Sequence, residues 1–232
     1  MQKGDPGCMN HSMIRILILK DWYLQRWSVL ASLLGGLIAL GIVCLGGNAA
    51  FMVGLVLLIT ALIAVGAQLA VTTMVNERKE QTLPFVMSLP ISYREYTSAK
   101  LLGTLLIFML PWLTLVMAVL VLFAIPHGVP HGLLPFTVIM ATEILVGTCL
   151  IVSVALVTES QGWTVGAIMV GNVGLNFAGY FVAHVTGIAK GMNGPTVSWS
   201  PAATTLLLSE FMAIALMLTL TFFLQSRKRD FL

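Results

Sequence analysis

The chain has 232 residues, 58% hydrophobic and 9% charged, with a mean hydropathy of +0.97. A soluble core of this length cannot hide so much apolar surface, which argues against a soluble enzyme or nucleic-acid-binding domain. The formal net charge of +3 reflects a one-sided clustering of Lys and Arg along an apolar chain, and the class this composition points to is an all-α integral membrane protein.

In chain order, Met1–Ser12 is polar and reads as a disordered tail, without the apolar core or cleavage site of a signal peptide. Met13 offers an alternative start. Met13–Trp27, MIRILILKDWYLQRW, follows Ser12 as N-cap. At 100° per residue, Asp21, Gln25, Arg15 and Arg26 share an arc of roughly 140°, while Trp22, Tyr23 and Trp27 suit a headgroup zone. The segment is expected to be an N-terminal interfacial helix lying along the membrane; the other reading is an extension of span one.

A bilayer-spanning helix needs roughly 20 apolar residues, and six stretches qualify: Ser28–Leu45, Ala50–Val75, Leu101–Ile125, Leu134–Val157, Trp163–His184 and Thr204–Leu224. Gly46-Gly47-Asn48 makes a tight turn after span one. Span two ends in a polar line at i+4 spacing, Gln68, Thr72 and Asn76, which serves either helix-to-helix hydrogen bonding or transport. Pro111 predicts a kink in span three. Span four carries Glu143 near mid-membrane, where an unpaired charge costs roughly 2.5–3.5 kcal/mol on insertion scales. Glu143 is therefore expected to be neutral and hydrogen-bonded to a neighbouring helix, or to line a wet conduit. Span five places Asn172, Asn176, Tyr180 and His184 at successive i+4 positions among several glycines, and Glu210 lies two turns into span six. With Gln68, these polar residues are the candidates for a conduit or a bundle interior. The segment Gly187–Ala203 between spans five and six is long enough to dip back into the bilayer.

Eleven of the twelve Lys and Arg residues fall on one side of these spans: Lys3, Arg15, Lys20, Arg26, Arg78, Lys79, Arg94, Lys100, Arg227, Lys228 and Arg229. Only Lys190 falls on the other. The positive-inside rule makes that side cytoplasmic, with both termini inside, as in a multi-pass protein of the cell membrane. The three cysteines, Cys8, Cys44 and Cys149, show no disulfide or zinc spacing. His127 and His131 are too few to hold a metal, so no metal site is expected. No internal repeat divides the chain, which reads as one transmembrane domain over residues 1–232.

The long polar interruption is Asn76–Lys100, NERKEQTLPFVMSLPISYREYTSAK, with seven charged residues in twenty-five. Glu77-Arg78-Lys79-Glu80 leaves span two as a charged turn. Leu83–Ser88 is a short apolar-faced segment stopped by Pro90. Ser92 and Glu95 have the spacing of a capping box and open a helix that runs through Lys100 into span three. Together these make a rigid foot just outside the bilayer. A surface helix exposing Phe85, Val86 and Met87 needs a cover, either a soluble partner or lipid headgroups.

No G-x-x-x-x-G-K-[ST] loop is present, so this chain does not carry its own ATP-phosphate cradle, and neither H-E-x-x-H nor G-x-S-x-G appears. The central stretch resembles the permeases of ABC-2 type ATP-binding-cassette exporters, on Glu77-Arg78, Thr82-Leu83, Leu89-Pro90-Ile91-Ser92 and Lys100, with Lys20-Asp21-Trp22 similar to that family's start before span one. Gln81, where the family commonly has Gly, and Pro84 depart from the pattern. The resemblance implies a non-enzymatic permease in which Glu77, Arg78, Thr82, Leu83, Phe85, Val86, Met87, Ser88, Leu89 and Pro90 form a cytoplasmic coupling helix and its flanks. It implies two permease subunits, identical or related, embedded in membrane lipids. Two separate cytoplasmic ATPase subunits would hold the ATP and Mg2+, and this chain would bind no cofactor of its own. From the residues alone, Glu143, Glu210 and the span-five line leave open an ATPase-independent secondary transporter, or a membrane sensor or scaffold.

Overall fold

The computed structural model describes residues 11–75, 93–124, 130–192 and 194–227. The described elements are helical: α1 (His11–Cys44), α2 (Asn48–Ala70) with a π-helical end (Val71–Val75), α3 (Tyr93–Ala124), α4 (Leu134–Thr158) after a 3-10 turn at His131–Leu133, α5 (Gln161–His184), a short α6 (Thr186–Ala189) and α7 (Pro201–Arg227). Six of them, all but α6, are long and apolar enough to cross a membrane, matching the six spans expected. The chain is a multi-pass membrane protein.

The N-terminal segment differs from expectation. It is not a separate interfacial helix, because α1 runs unbroken from His11 to Cys44. No Pro or Gly lies between Met13 and Leu34 to interrupt it, and its 34 residues reach about 51 Å at 1.5 Å per residue, well beyond the hydrocarbon thickness. Its polar arc is also split: Arg15 stays exposed, but Asp21 and Gln25 turn inward. Asp21 and Gln25 are buried, at 2% and 5% exposure, while Tyr23 and Trp27 on the opposite side are 63% and 69% exposed. In a membrane protein, polar side chains turn toward protein and aromatic ones toward lipid.

The turn between α1 and α2 needs its glycines: Gly46 and Gly47 have φ of +80° and +87°, a region costly for any residue with a Cβ. α3 continues through Pro111 without ending. α4 closes on Glu159 in the left-handed conformation, and α5 begins two residues later.

Packing places α4 at the centre, with half of its span buried against 11% for the spans of α5 and α7. α1, α2 and α3 pack on one another, α4 touches α2 and α3 on that side, and α5 and α7 both lean on α4. A Cβ added to Gly171 of α5 would lie 3.9 Å from Gly147 Cα of α4, the close approach that small residues permit between membrane helices. The main core gathers Val29, Leu62, Leu69, Phe108, Leu115 and Ile144 from α1 to α4. A second cluster joins Ile188 of α6 to Ile139, Val182 and Ala203, so the segment after span five sits as a cap on the ends of α4, α5 and α7. Cys44 and Cys149 are free thiols.

Candidate functional site

At the end of the bundle that carries the basic residues, α1 is fastened to both helices that flank the charged stretch. Lys100 Nζ donates to both carboxylate oxygens of Asp21, at 2.9 and 3.1 Å, with the two side chains 1% and 3% exposed. One turn on, Gln25 Nε2 donates to Thr72 Oγ1 in the π-helical end of α2. Gln68 Nε2 donates to Ser28 Oγ at 2.9 Å, and the hydroxyls of Thr73 and Thr104 lie 3.3 Å apart. π-helical turns widen the backbone and recur at functional sites; this one lies where the chain leaves span two. Gln225 of α7 donates to the Leu156 carbonyl and ties α7 to α4 at the same end.

The stretch is thus held on both sides, at Thr72 and Thr73 before it and at Lys100 after it. The residues expected to make the coupling helix and its flanks, Glu77, Arg78, Thr82, Leu83, Phe85, Val86, Met87, Ser88, Leu89 and Pro90, lie outside the described residues, as do Asn76 and Ser92. The Asp21–Lys100 pair was not foreseen. Both residues stood out by motif, yet no periodicity joins positions 79 apart in sequence.

The second feature is a lateral cleft of about 720 Å3 at the other end of the bundle. α2 and α5 form its lips, and α3 and α4 its back wall. α5 meets the π-helical end of α2 at the basic end of the bundle, and from there the two helices diverge. At the mouth, Met52 and Val56 of α2 are 62% and 61% exposed, and Tyr180 of α5 is 68% exposed. Met192, beyond α6, lines the cleft from above. Three of the candidate polar residues, Asn172, Asn176 and Tyr180, share this wall. Asn172 Nδ2 donates to the Ile168 carbonyl at 3.0 Å and Asn176 Nδ2 to the Asn172 carbonyl at 2.8 Å, so each amide spends an N–H on its own helix and keeps its oxygen as an acceptor. His184, the last of that line, has Nδ1 2.7 Å from the Tyr180 carbonyl. Gln68, the other polar candidate of the first two spans, is instead engaged with α1.

A third grouping joins α4 to α7. Glu143 and Glu210 are both half-buried and near enough to act electrostatically on each other. Glu210 Oε2 is buried with no hydrogen-bond partner among the described residues. The neighbouring hydroxyls are spent on their own helix, Thr142 on the Val138 carbonyl and Thr148 on the Ile144 carbonyl. Sequence reading singled out each acid but not their approach, because the packing of α4 on α7 sets it.

The chain matches no curated protein and no solved structure. A family model described as ABC-2 family transporter protein matches residues 16–227, which includes α2 to α7, the cleft and both fastened ends of the charged stretch. Six membrane-length helices and that match converge: the chain belongs to the ABC-2 family of transporters, as a membrane-spanning component of permease type.

Proposed function

We propose that the chain is the permease subunit of an ATP-binding-cassette exporter. Two such chains, or this one and a related permease, enclose the translocation path in the cell membrane. Two ATPase subunits dock on the basic face, which is cytoplasmic and carries both termini, through the 76–100 segment. The observation that carries this reading is the family match over residues 16–227, and the fastening of the charged stretch supports it. A segment held by a buried ion pair at one end and by hydrogen-bonded threonines at the other can pass a push to three helices at once. The ATP and Mg2+ belong to the ATPase, since the sequence has no phosphate-binding loop.

Purification of the chain from its native membranes tests this. The expected result is a complex with a separate ATPase, and disulfide formation between Phe85→Cys or Ser88→Cys and cysteines placed in that ATPase. Purified chain that hydrolyses ATP unaided would overturn the reading, as would transport that persists with the ATPase absent. The approach of Glu143 and Glu210 favours a second reading, ion-coupled transport without an ATPase. Under it, an ionophore that collapses the proton gradient stops transport at constant ATP; under the exporter reading it does not.

A further inference from the structure

Three features of the cleft between α2 and α5 bear on what it holds. Its volume, about 720 Å3, lies in the range of sites that enclose a whole small molecule, roughly 300–1,000 Å3. Its lining is aliphatic and aromatic, with no charged side chain among the described residues and a few polar ones: Thr60, Thr137, Asn172, Asn176 and Tyr180. Thr60 and Thr137 give their hydroxyl protons to the Val56 and Leu133 carbonyls of their own helices, and Asn172 and Asn176 turn their amide N–H groups the same way. The amide oxygens of Asn172 and Asn176 and the hydroxyl of Tyr180 remain, among the described residues, to meet an occupant.

An ion or a phosphate-bearing molecule entering this space would lose its water and find no counter-charge, which is costly. A sugar chain would leave most of its hydroxyls facing Leu, Val and Phe. Met52, Val56 and Tyr180, which frame the opening, are exposed on the flanks of two membrane-length helices, a position from which an occupant arrives from the membrane and not from water.

We propose that the cleft binds an uncharged amphiphile drawn from the bilayer, with its apolar body between α2 and α5 and a hydroxyl or amide N–H donating to Asn172 and Asn176. As a statement about cargo this rests on the exporter reading; as a statement about binding it does not, and the test reads binding alone.

The full chain is placed in phosphatidylcholine nanodiscs and photolabelled with a diazirine-bearing monoacylglycerol, and the labelled positions are mapped by mass spectrometry. Labelling is expected to saturate and to fall within 51–63 and 172–180. Unlabelled monoacylglycerol competes, and the lysophosphatidic acid of the same chain length competes about tenfold less well or worse, because its phosphate has no partner in the cleft. Asn176→Leu weakens labelling about three- to tenfold, the worth of one hydrogen bond, while Asn176→Gln retains most of it. Val56→Trp, which fills the mouth, abolishes it.

Labelling that never saturates, or spreads evenly over lipid-facing residues such as Phe211 and Leu216, means bilayer lipid only and overturns the proposal. Equal competition by the phosphate-bearing lipid overturns the class of ligand. A disulfide between Met52→Cys of one copy and Phe177→Cys of another, formed with the monoacylglycerol excluded, means that a second copy fills the cleft and also overturns it. Failure to capture an ATPase leaves this result untouched, and failure to label leaves the ATPase partnership untouched.

Discussion

The carboxylate of Asp21 and the ammonium of Lys100 meet at 2.9 Å, almost wholly out of solvent, across 79 residues of sequence. The pair offsets part of the cost of burying each charge. Removing one partner takes its ion pair from the buried charge that remains, at a cost of up to about 3–5 kcal/mol, whereas replacing both by apolar residues of similar volume is often neutral or stabilising. Lys100→Met and Asp21→Leu are each expected to lower the detergent melting temperature sharply, and the double variant to melt near the wild type. A stable double variant separates stability from transmission. If the pair carries movement between the charged stretch and α1, that variant melts normally and transports poorly.

The spans were legible because hydropathy alone decides them. Each expected span coincides with a helix, although the ends moved: span one was expected to reach Leu45, one residue past the end of α1, and α2 begins at Asn48, two residues before the expected Ala50. The amphipathic arc of 13–27 was visible too, but its sense was inverted at Asp21 and Gln25 while Arg15 stays exposed. Asp21 and Gln25 look like a solvated face until Lys100 and Thr72 are known to lie against them. The polar line of span five was legible as a wall, but the cleft it lines exists only because α2 and α5 diverge from their contact at the π turn. Periodicity within a helix carries no information about the angle between two helices.

Gly132 is a second place where packing overrides what sequence shows. Its N–H donates to the Gly194 carbonyl at 3.0 Å, and a Cβ there would lie 1.8 Å from the Gly191 carbonyl oxygen. Backbone is hard to displace, so Gly132→Ala is expected to push the cap formed by α6 and the following turn off α4, at a cost of about 1–3 kcal/mol. The check is an Ile188→Cys reporter, buried at 4% exposure in the parent residue. It should react slowly with a membrane-impermeant maleimide in the parent and much faster with Gly132→Ala. Equal rates would mean that the cap tolerates the methyl.

Gly66 offers a gentler case. A Cβ at this position of α2 would meet Thr148 Oγ1 at 2.8 Å and Phe108 Cε2 at 3.3 Å, side chains of α4 and α3 that can give way in part. Gly66→Ala is expected to destabilise the bundle by about 1–3 kcal/mol. Adding Thr148→Ala should recover part of that loss, since the nearest obstructing atom is gone. Because the two positions touch, the cycle should be non-additive by roughly 0.5–3 kcal/mol. Additive melting shifts would show that the strain is relieved elsewhere.

Glu143 and Glu210 pose the sharper question, because neither is satisfied by the residues nearest it in sequence. Glu210 Oε2 is buried without a hydrogen-bond partner among the described residues, and the neighbour whose field reaches it is another carboxyl. A carboxamide at 143 keeps the shape of the side chain, removes the electrostatic action of one carboxyl on the other and supplies an N–H. Glu143→Gln is therefore expected to stabilise the chain by about 1 kcal/mol, the net worth of one new hydrogen bond. For a chain of this size that is a rise of roughly 2–4 °C in melting temperature. Glu143→Ala lacks the donor and should show a smaller gain or none. Transport then separates the roles. If the pair only joins α4 to α7, the Gln variant melts higher and transports like the wild type. If the pair lines the conduit, the same variant melts higher and transports less, stability and activity moving in opposite directions. A Gln variant that melts lower than the wild type would show that the two carboxyls already share a favourable contact, and that the unpartnered oxygen is not a source of instability.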